Sequence, residues 1–405
     1  MNHGSESERR LRILACVPHF LPGIKAGGPI RSLAHLVEQL GGEFEFSILT
    51  ADRDLGDDTP FPKIEVNRWQ HVGLAQVCYL SPAEQRCFAL ARRIGQTPHD
   101  ILYLNGLFNG LTRRVLLLRR CGVLPRRPTI VAPRGEFSPG ALRLKYRKKR
   151  LFLAIARVVG LCRRVFWHAT SDDEAELIRQ WFGTTVAVCS APNLPSGAQR
   201  PIDRSARGKQ PGAARIVLLG RVSRMKNVDF ALRVLAQVRG DVEFRVLGPR
   251  EDREYDAECA ALAERLPAGV RATFVGGLPP DDVWRELAAA HLMFLPTRGE
   301  NFGHAIIEAL RAACPVLISD QTPWCDLEEH RAGWVLPLDP AERFRAVVQQ
   351  VIDMPEAEWA EWSAGARRFG EQFACNPAHR EANRQLFLRA AGRSETSSLI
   401  DRRDT

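Results

Sequence analysis

Two glutamates stand eight positions apart in the stretch Pro296-Thr297-Arg298-Gly299-Glu300-Asn301-Phe302-Gly303-His304-Ala305-Ile306-Ile307-Glu308-Ala309-Leu310. The first follows an apolar run, Leu292 to Pro296, with the length and composition of a short buried strand. The second lies in an Ala/Ile/Leu-rich segment that reads as a helix starting near Gly303. A carboxylate flanked by Ile307 and Ala309 is costly to bury without partners, and ligand hydroxyl groups are suitable ones. A strand, a glycine-bearing loop and a helix N-terminus place such groups at the carboxyl edge of a parallel sheet, where α/β proteins hold ligands.

Cations with a complementary task occur earlier. Gly220-Arg221-Val222-Ser223-Arg224-Met225-Lys226-Asn227 follows an apolar strand, Arg215 to Gly220, and precedes a helix over Val228 to Arg239. Arg221 and Lys226 therefore sit in a strand-to-helix loop beside backbone N–H donors, an arrangement suited to a diphosphate. Near the N-terminus, Gly23 to Arg31 contains Gly27 and Gly28, which let backbone approach a ligand closely, and then Pro29 at a helix start. This loop is expected to present N–H groups to a phosphate from an opposing wall.

These loops need a frame. At 405 residues the chain is long enough for two or three domains, and 45% hydrophobic with 26% charged residues describes a globular protein. Strand-like runs at Leu11–Cys16, Phe44–Thr50, Ile101–Leu104, Thr129–Ala132 and Val165–Ala169 alternate with helical segments near 29–40, 82–95, 108–121, 139–160 and 171–182. A polar stretch rich in Pro, Gly, Arg and Ser, from Leu194 to Ala213, reads as a linker. The pattern then resumes with Arg215–Gly220, Val242–Leu247, Arg271–Val275, Leu292–Leu295 and Val316–Ser319. The expected fold class is α/β, with two Rossmann-like domains facing across a central cleft.

Composition excludes several classes. Ten cysteines occur without a CxxC pair, which speaks against a zinc site or a disulfide frame. No apolar run approaches the roughly 20 residues of a membrane-spanning helix, and the polar N-terminus lacks a signal-peptide core, so a cytoplasmic protein is expected. Charge is uneven: residues 1–200 carry a net +12 and residues 201–405 a net −2, which assigns anionic partners to the first half.

Arg221, Lys226 and the Glu-x7-Glu of Glu300 and Glu308 resemble the motifs of the retaining, nucleotide-sugar-dependent glycosyltransferases of family 4, which have the GT-B fold. Gly27-Gly28-Pro29 is similar to that family's N-terminal glycine loop, and Ala132-Pro133-Arg134-Gly135 and Ala191-Pro192-Asn193 to two of its turns. The resemblance spans about residues 12–372. It implies an acceptor domain over 1–198, a donor domain over 199–372 and a C-terminal helix and tail, 373–405, returning toward the first domain. Arg221 and Lys226 would hold the donor diphosphate, and Glu308 would accept hydrogen bonds from the ribose hydroxyls. Glu300, with the backbone of Asn301, Phe302 and Gly303, would orient the sugar. The co-substrate would be a UDP- or GDP-sugar, with no metal and no separate cofactor, and the acceptor a lipid-linked or saccharide molecule in polysaccharide biosynthesis. Some family members carry a histidine in the turn that here reads Pro133-Arg134-Gly135-Glu136, which brings Arg134, Glu136 and His168 into consideration.

The segment 143–150 holds Arg143, Lys145, Arg147, Lys148, Lys149 and Arg150 without an acid, and runs into Leu151-Phe152-Leu153-Ala154-Ile155-Ala156. A helix of this kind suits an anionic membrane surface or a lipid-linked pyrophosphate. Two rival functions remain in view. A sugar-nucleotide epimerase of the same fold needs acid/base carboxylates and histidines around one nucleotide sugar, a set the motifs do not supply. A nucleic-acid binder, suggested by the basic half, lacks interleaved aromatics and a recognition motif, so no nucleic acid is expected.

Overall fold

Strands enclosed by helices on both faces must be apolar throughout, because neither side meets water. Ile101–Asn105, Thr129–Ala132, Leu292–Leu295 and Val316–Ser319 are buried at every position. The structure, a computed structural model, describes residues 9–138, 146–202, 208–250 and 252–393. It divides into two compact units, one made of the chain up to Ser196 together with the segment from Pro377 onward, the other of Gly197–Asn376.

The first unit contains β1 (Arg12–Cys16), β2 (Glu45–Ala51), β3 (Trp69–Val72), β4 (Ala75–Leu80), β5 (Ile101–Asn105), β6 (Thr129–Ala132), β7 (Phe166–Ala169) and β8 (Val188–Ser190). They form one sheet in the order β3-β4-β2-β1-β5-β6-β7-β8. All neighbours are parallel except the β3–β4 hairpin. Strand order reverses between β1 and β5, which opens a crevice at their carboxyl ends. The last described helix, Pro377–Ala390, belongs to this unit. Its Phe387 ring lies 5.4 Å from those of Phe44 and Tyr103 and 6.0 Å from that of Phe46, and Leu386 is fully buried beside it.

The second unit has six strands, β9 (Ala213–Leu219), β10 (Asp241–Leu247), β11 (Val270–Gly276), β12 (Leu292–Leu295), β13 (Val316–Ser319) and β14 (Gly333–Leu336). The order is β11-β10-β9-β12-β13-β14, parallel throughout, with the reversal between β9 and β12. Helices Val228–Leu235, Arg253–Ala263, Pro280–Ala289, His304–Arg311, Glu342–Asp353 and Glu356–Ala374 cover it.

Several elements depart from the sequence expectation. The β3–β4 hairpin, β8 and β14 are additional strands; β3 and β8 are short with weak apolar patterning, whereas β4 and β14 are mostly buried apolar runs. The helix expected over 82–95 runs Cys87–Gln96, because residues 81–86 close turns in which Gln85 and Arg86 donate to the Ser81 and Ala83 carbonyls. Of the helix expected over 139–160, Tyr146–Val158 is present and residues 139–145 lie outside the described residues. The end of the expected linker is anchored to the second unit. Lys209 is 1% exposed, and its ammonium donates to the carbonyls of Gln210, Ile352 and Met354, each at 2.9 Å. Burial lowers the pKa of this lysine.

Candidate functional site

The neighbouring strands β9 and β12, in register at Ile216 with Leu292 and Val217 with Met293, deliver their following loops to the same edge. Residues 220–227 and 296–303 thus meet at the point where strand order reverses. Gly220 follows β9, and a Cβ there would fall 3.1–3.2 Å from the Cγ, Cδ and Cε of Lys226. Glycine allows the lysine stem to lie against the strand end. The loop then turns on the Ser223 carbonyl, which accepts from Lys226 N (2.9 Å) and Asn227 N (3.2 Å). Asn227 adopts a left-handed conformation, φ 59°, and launches the helix Val228–Leu235.

The second loop is fastened to the first. Arg298 N and the Thr297 hydroxyl donate to the Met225 carbonyl at 2.8 and 3.0 Å, and the Arg298 guanidinium donates to Asn227 Oδ1 at 3.0–3.1 Å. On its far side Glu300 N donates to the Gln321 carbonyl (2.9 Å), the Ser319 hydroxyl to the Thr297 carbonyl, and Trp324 Nε1 to the Phe302 carbonyl. With both sides fixed, the Lys226 ammonium forms an ion pair with Glu300 Oε1, their side chains 19% and 14% exposed. Residues 74 positions apart in sequence are brought together at one sheet edge.

Gly303 has φ 80° and precedes the helix His304–Arg311. A Cβ at that position would lie 2.7 Å from Ile306 Cδ1, so both conformation and space require glycine. Glu308, on the second turn, is half-buried between the fully buried Ile307 and Ala309. Asn301 is half-buried, and Arg221 is exposed immediately beyond Gly220. The Phe302 ring is directed into the core, 4.8 Å from the His304 ring and 5.7 Å from that of Trp324, so only its backbone is placed for a ligand. Two helix N-termini, Arg221 and Lys226 thereby converge on one edge with Glu300, a combination able to bind an anion next to a polyhydroxylated group.

Sequence reasoning missed the fastening itself. Asn227 and Arg298 had visible signals, an asparagine before a helix and a cation two residues before Glu300, but their pairing depends on strand order. Beneath the first loop, Asp229 is 5% exposed and accepts the Tyr255 hydroxyl. Burial is the largest influence on Asp229, yet the Tyr255 and Arg233 hydrogen bonds outweigh it and lower the pKa.

In the first unit Gly27, φ 67°, precedes the helix Gly28–Leu40, and Ile30 N and Arg31 N already donate to its carbonyl. Arg134, His168 and Glu136 are engaged in holding loops together. The Arg134 guanidinium donates to Asn105 Oδ1 (3.2 Å), Asn193 Oδ1 and the Tyr103 hydroxyl (2.5 Å). Tyr103 in turn donates to His168 Nδ1 (2.8 Å), whose Nε2–H reaches the Ala191 carbonyl (2.8 Å). Burial, helped by the Arg134 charge, lowers the His168 pKa to about 3, so the imidazole stays neutral. The Glu136 carboxylate accepts from Leu107 N and Phe108 N, and burial pushes its pKa up to about 7.

Residues 199–369 match the family described as glycosyl transferases group 1. The D-inositol 3-phosphate glycosyltransferase of Nocardia farcinica is 28% identical over 241 residues, 55% of this chain and 51% of that protein. The chain spans about half the length of the curated relatives it matches. Among solved structures, the sucrose-phosphate synthase of Thermosynechococcus elongatus superposes with a TM-score of 0.70 at 16% identity, covering 95% of this chain and 100% of that one. Anabaena Alr3699/HepE in complex with UDP-glucose gives 0.67 at 16% identity, with the same coverage. The fold is that of the GT-B glycosyltransferases.

Proposed function

We propose that this chain, which carries a glycosyl transferases group 1 domain over residues 199–369, moves a sugar from a nucleoside diphosphate to a lipid-linked or saccharide acceptor with retention of anomeric configuration. The observation that carries the proposal is the contact of Lys226 with Glu300 at the strand-order reversal of the second sheet, beside two helix N-termini.

In this proposal the donor lies across the β9/β12 edge. Its diphosphate meets Arg221, Lys226 and the N-terminus of the helix His304–Arg311, while Glu308 accepts from the ribose hydroxyls. Glu300, with Asn301 and Gly303, orients the sugar. The bond from the anomeric carbon to the phosphate oxygen breaks, and its electron pair leaves with the nucleoside diphosphate. The acceptor hydroxyl oxygen bonds to that carbon on the same face, and its proton passes to the departing phosphate. Charge grows on the leaving group, so preorganised cations stabilise the transition state more than the ground state, which is the requirement for catalysis. No separate cofactor or metal is invoked, and the donor is a UDP- or GDP-sugar.

The role extends to polysaccharide assembly at a cytoplasmic membrane face. The helix Tyr146–Val158 buries Leu153 and Ala156 but leaves Leu151, Ile155 and Val158 exposed at 63%, 52% and 88%. These three share one stripe, and Arg147, Lys148 and Arg150 are exposed beside it. Lys149 instead reaches over the Phe108 ring at 5.0 Å, and Arg143 and Lys145 lie outside the described residues. An apolar stripe with basic flanks supports shallow docking on an anionic bilayer. Among the described residues, no helix is long and apolar enough to cross a membrane.

The test is a thermal-shift screen of UDP-, GDP- and ADP-sugars, followed by NMR of the transfer product. One nucleotide class is expected to raise the melting temperature, and the product to keep the donor's anomeric configuration. Stabilisation by none of them overturns the proposal. A new sugar epimer formed without any acceptor indicates the epimerase instead.

A further inference from the structure

Arg298 stands two residues before Glu300, nearer in sequence to that carboxylate than any other arginine or lysine. Glu300 nevertheless pairs with Lys226, and Asp229, the acid at the start of the adjoining helix, pairs with Arg233. The Arg298 guanidinium is spent on a neutral group instead. Its Nε and Nη2 both donate to Asn227 Oδ1, at 3.1 and 3.0 Å. Asn227 is 2% exposed, whereas Arg298 is an exposed residue.

This side-chain contact is not what holds the two loops together. The Met225 carbonyl accepts from Arg298 N and from the Thr297 hydroxyl, and Val222 N donates to the Pro249 carbonyl at 3.0 Å. Arg224 lies over the Tyr255 ring at 5.0 Å and pairs with Glu258 at 3.1 Å. None of these bonds uses the Arg298 guanidinium or the Asn227 side chain, so the loops keep their course without either. Asn227 itself has φ 59°, a conformation that glycine adopts freely.

What the contact does is settle a competition. A guanidinium binds a carboxylate through two parallel hydrogen bonds, whereas an ammonium acts as a point charge, so a released Arg298 is the stronger partner for Glu300. Asn227 Oδ1 opposes that release by accepting both donors. The Asp229 charge acts in the same direction. Burial has the largest effect on Asp229 and raises its pKa, yet the Tyr255 and Arg233 hydrogen bonds and the Arg233 and Arg298 charges outweigh it. Arg298 is thereby parked beside Asn227 and Asp229, and Glu300 is left to the lysine.

We propose that Asn227 is a positioning residue of the transfer site, which holds the Arg298 guanidinium off Glu300 and so keeps Glu300 and Lys226 in register for the donor. The proposal rests on the transferase reading, since Lys226 and Glu300 have their roles there. Asn227 acts through Arg298 and touches no substrate. Asn227→Gly keeps the backbone conformation and removes only the acceptor, whereas Asn227→Asp keeps an acceptor for both guanidinium donors. Because the harm in Asn227→Gly comes from the freed arginine, Arg298→Met added to it is a suppressor.

Two measurements on the full chain test this. The first is release of nucleoside diphosphate from UDP-, GDP- or ADP-glucose, with water as acceptor. Asn227→Gly is expected to lose about tenfold or more in kcat with KM changed less than about threefold, and Asn227→Asp to stay within about threefold of wild type. Arg298→Met is expected to stay within about threefold by itself and to restore Asn227→Gly to that level. The second is the rate at which acetic anhydride labels Lys226, read by mass spectrometry without any donor. Labelling is expected to rise about threefold or more in Asn227→Gly and to return to the wild-type rate in Asn227→Gly/Arg298→Met. Wild-type behaviour of Asn227→Gly, a double variant no better than Asn227→Gly, or a tenfold loss in Arg298→Met alone overturns the proposal; the last outcome decides it even if Asn227→Gly fails to fold. Absence of nucleoside diphosphate release in the wild type counts against the transferase reading, whereas the labelling rates decide the role of Asn227.

Discussion

The Lys226–Glu300 pair can be tested as a pair. Both side chains are less than one-fifth exposed, so removing one charge leaves the other partly desolvated without its partner. If the two served only each other, Lys226→Met and Glu300→Gln would each destabilise the second unit by about 1–3 kcal/mol, and the double variant would recover most of that loss. The transfer reaction behaves differently if Lys226 also carries charge on the departing diphosphate. Loss of such a group costs about 2–4 kcal/mol of transition-state stabilisation, a fall of roughly 30- to 900-fold in kcat/KM. Glu300→Gln then leaves the ammonium in place but loses orientation of the sugar. Combining the two changes cannot restore either function. Urea unfolding and steady-state transfer kinetics on the four proteins of the cycle therefore separate the roles. The expected result is recovery of stability without recovery of activity in the double variant. Single variants within threefold of wild type in kcat/KM, or a double variant that regains wild-type transfer, would refute the assignment.

Three further outcomes are expected. Glu308→Gln keeps volume but weakens acceptance from the ribose hydroxyls, so nucleoside diphosphate affinity measured by calorimetry should fall about tenfold with the melting temperature unchanged; unaltered affinity would make Glu308 structural. Replacing Arg147, Lys148 and Arg150 by Glu should abolish co-sedimentation with anionic vesicles at low salt, at about 1 kcal/mol lost per basic residue, while transfer to a short soluble acceptor persists; equal co-sedimentation would remove the membrane claim. The neutral, buried His168, with its pKa lowered to about 3, contributes stability that is fully present above the unfolded value near 6.5 and is lost as pH falls below it. Wild type should therefore lose stability from pH 6.5 to 5 relative to His168→Gln, by at most about 1.4 kcal/mol per pH unit, and parallel urea-denaturation profiles for the two proteins would contradict this. Glu136, raised to about 7, acts in the opposite direction over an overlapping range, which is why the difference between the two proteins is the quantity to read.

Local chemistry made the major strands and the site loops legible. Runs such as Leu292–Leu295 and Val316–Ser319 are apolar at every position because both faces are covered, and that composition is visible without a structure. Gly303 was legible for a similar reason, since a left-handed residue before a helix favours glycine. The short β3 and β8 carry no comparable signal, because their pairing is decided by the neighbour that receives them. A lone histidine at a strand end is more often structural than catalytic, and the two nitrogens of His168 are taken by Tyr103 and Ala191.

The sequence by itself determined two α/β halves, a cation-bearing loop after β9 and a carboxylate-bearing loop after β12, because these depend on residues within a few positions of one another. Tertiary structure alone decided that β9 and β12 are neighbours, and with that the meeting of Lys226 and Glu300. It also returned Phe387 to the sheet that begins the chain. Strand order and helix return follow from which arrangement buries the most apolar surface while pairing every backbone group, a sum over contacts distant in sequence. No local window contains that sum, so the residues can be recognised individually while their partners cannot.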